Sequence, residues 1–306
     1  MNGASEHGRD MPDSAPVAWR VNGERLAVLG WGQAVLLQLA HPLVAAGVAD
    51  YSTLRISPRQ RLRRFRRTLR AMLTLTYGSP EAVRKTARWI DGIHGQVHGR
   101  LQDTCGVFPA GTPYSARDPA LLRWVHATLL DSTLLTYRLL IGPLSRMEQD
   151  RYCAEATWMG PILGIPVELL PADATQLAAY LDAMFSSGQI AVGPTARRLA
   201  CELLNASPGL SGLLDLPLRL PYHVMTVGLL PPPLRDAYQL SWSPAYQLAF
   251  DAAVATCRRL VPLLPDAVRR WPEARRASQL GKQSAAQATD STALSEPTTS
   301  SDRPAE

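Results

Sequence analysis

Apolar and polar positions recur at spacings of three and four along most of the chain. That rhythm predicts helices over 59–77, 80–101, 118–142, 145–163, 173–187, 194–205 and 243–263. The breaks fall at Gly78-Ser79-Pro80, Gly142-Pro143, Gly164-Ile165-Pro166 and Gly193-Pro194, where glycine ends a helix and proline cannot continue one. Asp118-Pro119 and Ser243-Pro244 put a capping side chain directly before a proline at the first helical position. No clear run alternates at period two on either side of a tight Asn-Gly or Asp-Gly turn. The expected fold is therefore all-α, a single multi-helix domain without internal repeats.

One stretch departs from the amphipathic pattern. Leu26 to Ala49 carries no formal charge, and its length is enough to cross a bilayer. Gln33, Gln38, His41 and Pro42 lie inside it. Those polar groups are costly in lipid, and the proline breaks a helix near its centre. The reading this favours is a buried helix ending near Ala40 or His41, followed by a second short apolar element. A membrane span is the alternative.

Composition adds bounds rather than a function. With 306 residues and 46% hydrophobic residues, the chain can bury a sizeable core. Residues 1–16 and 276–306 are polar, small or proline-containing, which predicts disordered ends around a domain over 17–275. The first residues hold no apolar h-region, so a cytoplasmic location is expected. Cys105, Cys153, Cys201 and Cys257 form no CxxC pair and read as small buried hydrophobes in a reducing compartment.

The net charge of +6 rests almost wholly on arginine, with lysine only at 85 and 282. Eight arginines fall within residues 55–70, and no acidic residue stands between Asp50 and Glu81. On a helix, Leu62, Phe65, Leu69 and Leu73 form an apolar stripe. Arg64, Thr68 and Met72 lie on an adjoining face, as do Arg63, Arg67 and Arg70. Such a run is either a solvated face or a site for an anion: nucleic acid, phospholipid or the carboxylates of a cofactor. Aromatic residues are not interleaved with the arginines, which disfavours nucleic acid.

Histidine is scarce, and its placement is informative. On a helix over 80–101, Trp89, Ile90, Ile93 and Val97 form an apolar stripe, with His94 at its border and His98 one turn later. Two histidines at i, i+4 can chelate a metal. The zinc-protease pattern needs a glutamate after the first, where Gly95 stands. A lone histidine projecting from a helix into an apolar pocket is also the usual axial ligand of a haem iron. His126 shares an apolar face with Leu129 and Leu130, which fits a satisfied core group or a pocket residue. His41, beside Pro42, is placed to cap the last carbonyls of a helix.

Taken in order, these stretches resemble a known family. LLQLAHPLVAAGVAD is followed by an arginine-rich helix ending RRTL, then IHGQVHG, WVHATLLDS, GIPVELLP and GLLPPPLRDAYQLSWSP. The series is similar to the oxygenase family of rubber oxygenase and the mycophenolic-acid oxygenase, over about residues 17–275. The resemblance implies a globin-like helical core holding haem b, with an apolar and isoprenoid-like small molecule and dioxygen as partners. It implies His94 as the axial iron ligand. Arg64, Arg67 and Thr68 map to the opposite side of the haem, and His126 to its pocket. His98 stands where relatives carry a basic residue, and His41 belongs to the QLAHP motif near the cofactor. Asp91 replaces an arginine common three positions before the axial histidine, so the shell around the iron differs here. A haem- or lipid-binding helical protein without turnover is the non-catalytic alternative, and a peripheral membrane protein docking through the arginine run is a third.

Overall fold

The computed structural model describes residues 16–51, 58–205 and 216–280. Most of the expected polar ends, 1–15 and 281–306, lie outside the described residues. Helical turns run over 272–280, with Ala274 and Ala277 buried, so ordered chain continues past the expected border at 275.

The N-terminal part comprises α1 (Val17–Val21), a 3-10 turn (Arg25–Gly30), α2 (Trp31–Leu39) and α3 (Pro42–Tyr51). A long helical hairpin follows, made of α4 (Pro58–Tyr77) and α5 (Pro80–His94). A β-hairpin of β1 (His98–Arg100) and β2 (Pro113–Ser115) leads into α6 (Pro119–Leu140). Beyond it come α7 (Arg146–Ala156), α8 (Met159–Ile162), α9 (Ala174–Ser186) and α10 (Pro194–Leu204). The last elements are α11 (Leu216–Gly228), α12 (Pro232–Ala237), α13 (Pro244–Leu260) and α14 (Asp266–Arg269). The protein is predominantly all-α, as the periodicity predicts.

The helix starts follow the capping residues. Ser79 accepts the amide of Ala82 at 3.3 Å, and Asp118 accepts that of Ala120 at 2.8 Å. Ser145 and Glu148 close a reciprocal box at the start of α7. Ser243 accepts the amide of Tyr246 at 3.3 Å.

α6 is the central strut and packs against α2 and the 3-10 turn. Trp124 and Ala127 are fully enclosed. Three of its buried threonine hydroxyls are satisfied within the helix itself, whereas Ser132 Oγ has no partner. Thr128, Thr133 and Thr136 donate to the carbonyls of Trp124, Leu129 and Ser132 at 2.9, 2.8 and 2.6 Å. The 3-10 turn can approach this closely only because residue 30 is glycine. A Cβ there would overlap Thr136 Oγ1 and the Ser132 carbonyl.

The uncharged stretch Leu26–Ala49 folds as two elements bent by 107°, with Leu36, Leu37, Leu39, Leu43 and Ala45 buried. Among the described residues no single helix is long and apolar enough to cross a membrane, although this bent pair passes that test by length and composition.

Four expectations change. The helix from residue 80 ends at His94 rather than near 101, because Gly95 caps it and the chain turns into β1. The three-residue strands are too short to show a period-two signature. Trp89 and Ile93 are 40% and 39% exposed, and the buried face of α5 is Val83 and Ala87. Leu62 and Phe65 are likewise about two-fifths exposed, so only the C-terminal half of the predicted α4 stripe is covered. Cys153 is buried, but Cys105 and Cys257 are half-buried and Cys201 is exposed, so the cysteines are not uniformly core residues.

Candidate functional site

A cavity of about 1170 Å³ lies among α1, the 3-10 turn, α4, α5, α6, α7 and α8, above the usual range for small-molecule sites. Two helices line it in the same register. α6 contributes His126, Leu129, Leu130 and Thr133, while α4 contributes Leu69, Met72, Leu73 and Thr76. Each set falls at i, i+3, i+4, i+7, a single helical face two turns long. Trp19, Trp31, Trp158 and Trp271 also border the space. Pro80 and Arg84 on α5, together with Trp158, are exposed and form part of its rim.

Two buried polar atoms in this wall have no hydrogen-bond partner: His126 Nε2 and Glu24 Oε2. His126 is 8% exposed. Burial lowers its pKa to about 4, so the imidazole is neutral near pH 7. Glu24 is 1% exposed. Its Oε1 lies 3.1 Å from Arg269 Nε. Desolvation raises its pKa, opposed by the charges of Arg269 and Arg270. Nearby, Tyr152 donates to Asn22 Oδ1 at 3.0 Å, and Glu155 accepts the amide of Ala18 at 2.7 Å.

The other sequence-singled residues lie elsewhere. His94 ends α5, half-buried, with its pKa lowered by desolvation. It stands seven positions after Ala87 and eleven after Val83, hence on the same face of α5, about 16 Å along the axis from the cavity-lining Val83. α4 and α5 pack as an antiparallel pair, which sets His94 level with the arginine-rich half of α4. There Arg67 lies over the Trp89 ring at 5.2 Å. Arg64 has its pKa lowered by desolvation and then by the neighbouring Arg67 charge. Arg64, Arg67 and Thr68 are exposed. A further cavity of about 470 Å³ borders Leu62, Arg63, Arg66, Arg67 and Arg70. Asp91 does not stand free: Arg117 grips both its carboxylate oxygens at 2.8 and 2.7 Å.

His98 and His41 turn away from both places. His98 is an exposed strand residue whose carbonyl accepts from the Tyr51 hydroxyl at 2.8 Å, so the i, i+4 pairing with His94 on one helix does not exist. His41 is 2% exposed, tilts against Phe108 at 5.1 Å, and accepts the Leu43 amide through Nδ1 at 3.3 Å. It therefore serves the first turn of α3 rather than the last carbonyls of α2. Burial lowers its pKa to about 4, keeping that nitrogen an acceptor. Among the described residues no cluster of three or more His, Cys, Asp or Glu side chains could hold a bare metal ion.

Sequence reasoning passed over Glu24. The signal was present as a lone carboxylate between Arg20 and Arg25 at the edge of an uncharged run. The four wall tryptophans were passed over as well.

The site thus belongs to a predominantly helical fold with a large cavity lined mainly by apolar side chains. The chain matches the family model described as ER-bound oxygenase mpaB/B'/Rubber oxygenase, catalytic domain, over residues 19–259, and belongs to that family. No curated protein and no solved structure matches it.

Proposed function

We propose that the protein is a haem-dependent oxygenase that uses dioxygen on an apolar small molecule. Membership in an oxygenase catalytic-domain family over residues 19–259 carries the reading. The residues at the open end of the α4–α5 hairpin fit a haem in kind. Leu62, Phe65, Trp89 and Ile93 offer apolar surface that is otherwise left two-fifths exposed. Arg64 and Arg67 are cations suited to propionates. His94 is an imidazole whose burial favours the neutral, ligating form. His94 would hold the iron, and Arg64, Arg67 and Thr68 would line the same site. When bound, the haem supplies the iron centre at which dioxygen is activated.

The cavity stripe of α4 continues through Phe65 and Leu62, and His94 shares the Val83 face of α5. A substrate in the chamber thus lies along the same two helices that carry the haem residues. The chain's own contribution is to enclose an apolar molecule, exclude water and present one neutral imidazole, His126, from the chamber wall.

Purified protein expressed with haem supply is expected to show a Soret band that collapses in His94→Ala and persists in His126→Leu. A colourless wild-type protein overturns the reading. The large apolar chamber also favours a carrier that holds such a molecule without turnover. A carrier consumes no dioxygen when mixed with a bound candidate, and an oxygenase does.

A further inference from the structure

We infer that Trp271 is the end stop of the chamber and sets the length of apolar chain that the protein accepts. Length selection in binding stands on the chamber alone. Its use, to leave the substrate's other end at the hairpin mouth, rests on the oxygenase reading.

Among the described residues, all that line the chamber fall between Pro16 and Ile162 except Trp271. This one arrives from the far end of the chain, beyond residues 19–259 that the family model matches. Residues 262–268 are all exposed, so the segment owes its place to the attachments that follow them. The Trp271 amide donates to the Gly23 carbonyl at 2.9 Å, and Arg25 Nε donates to the Arg270 carbonyl at 3.2 Å. Arg269 Nε lies 3.1 Å from Glu24 Oε1. Ala274 is buried against Gly23, where an added Cβ would come within 3.0 Å of the alanine methyl. The Arg25 guanidinium covers the Trp271 ring at 5.2 Å from its centre. The indole is thus half-buried, held by its own backbone and by a cation, and borders the chamber.

The attachments also fix which end of the chamber Trp271 closes. Tyr77, at the C-terminal end of α4, donates to the Trp19 carbonyl at 2.7 Å. A Cβ on Gly23 would come within 3.2 Å of the same hydroxyl, and Gly23 holds the Trp271 amide. Trp271 therefore stands beside the Thr76 end of the α4 stripe. From there the stripe runs through Met72 and Leu69 to Phe65, which meets Trp31 at 6.0 Å near the hairpin mouth. Eleven positions separate Thr76 from Phe65, about 16 Å of helix. An apolar chain lying along this stripe has one end at the Trp271 ring and the other toward the residues assigned to the haem. A longer chain has to displace the indole, which is wide and turns about only two side-chain bonds.

Saturated chains of three lengths test this without any reaction. Haem content of the full-length protein is fixed first from its absorbance. The fluorescent probe N-phenyl-1-naphthylamine is then displaced from the haem-free fraction by n-octane, n-dodecane and n-hexadecane. Its emission does not depend on the indole that is removed. The melting temperature with each alkane reads the haem-loaded fraction. In the wild type, affinity is expected to rise from octane to dodecane and to fall again at hexadecane. Trp271→Ala is expected to raise hexadecane binding relative to octane about fivefold, and Trp271→Phe about twofold. Should Trp271→Ala fail to fold, Trp271→Phe still decides. A variant that weakens all three alkanes alike has lost structural support only, and this overturns the inference. So does an unchanged ratio, or a wild type that none of the alkanes enters. A length limit in a protein that takes up no haem keeps the stop and removes the oxygenase. A Soret band without a length limit does the reverse.

Discussion

α4 and α6 turn the same four-position stripe toward one chamber, yet their other faces meet opposite surroundings. Around α6 lies the core: Trp124, Ala127 and Leu134 are buried outside the cavity-lining stripe. Around the first half of α4 lies water, with Leu62 and Phe65 partly bare and arginines between them. α4 packs against α5 and α1. Tyr77 donates to the Trp19 carbonyl at 2.7 Å, and Phe65 tilts against Trp31 at 6.0 Å. A shared pattern thus conceals one wall fixed by packing and another held mostly along its edges. The free energy of local opening follows such differences in buried contact.

Removing packing from the fixed wall should give the largest effect. Trp124→Ala deletes a side chain with no exposed surface, and such losses cost about 3–5 kcal/mol. Urea unfolding should show a lower midpoint at an unchanged m-value. A cost below about 1 kcal/mol would mean that α6 is not the strut it looks to be.

Acid should weaken the same wall next. His126 and His41 titrate near 4 in the folded protein, against an ordinary 6.5. Between those values the unfolded chain binds more protons, so stability present above pH 6.5 is lost as the pH falls toward 4. The loss approaches about 1.4 kcal/mol per pH unit for each histidine. Asp131 acts in the opposite sense. Burial raises its pKa from 3.8 to about 6, so the folded form gains relative stability as the pH falls through 6. The difference between wild type and His126→Leu isolates the histidine: the variant should lose about 2 kcal/mol less between pH 7 and pH 5. Parallel stability profiles for the two proteins would show that His126 is solvated in the native state.

The same contrast explains what could be read from the residues alone. Helices with strong caps and a buried stripe, α6 above all, were legible because local pattern and tertiary packing agree there. The helix expected over 80–101 is too long, because Gly95 after His94 is itself a stop signal and His98 falls on a strand. The apolar positions of the α4–α5 mouth, Leu62, Phe65, Trp89 and Ile93, have the right periodicity but stay about two-fifths exposed. Sequence cannot show that a stripe goes uncovered. His126 could be placed on an apolar face from spacing alone. Glu24 could not, because its burial comes from the far end of the chain. There Arg25 reaches the Arg270 carbonyl, 245 positions away, and Arg269 meets the Glu24 carboxylate.

The smallest effect should come from the arginine wall, and it tests the contrast from its weaker side. Arg67 is exposed and lies over the Trp89 ring at 5.2 Å. Solvent-exposed contacts of this type contribute about 0.5–1 kcal/mol. Its charge also opposes that of Arg64, so removal relieves some repulsion while it loses the ring contact. Arg67→Gln should therefore shift stability by no more than about 0.5 kcal/mol, measured by urea unfolding at low salt. If the substitution instead costs as much as Trp124→Ala, the hairpin mouth is part of the core, and the two walls of the chamber are held alike.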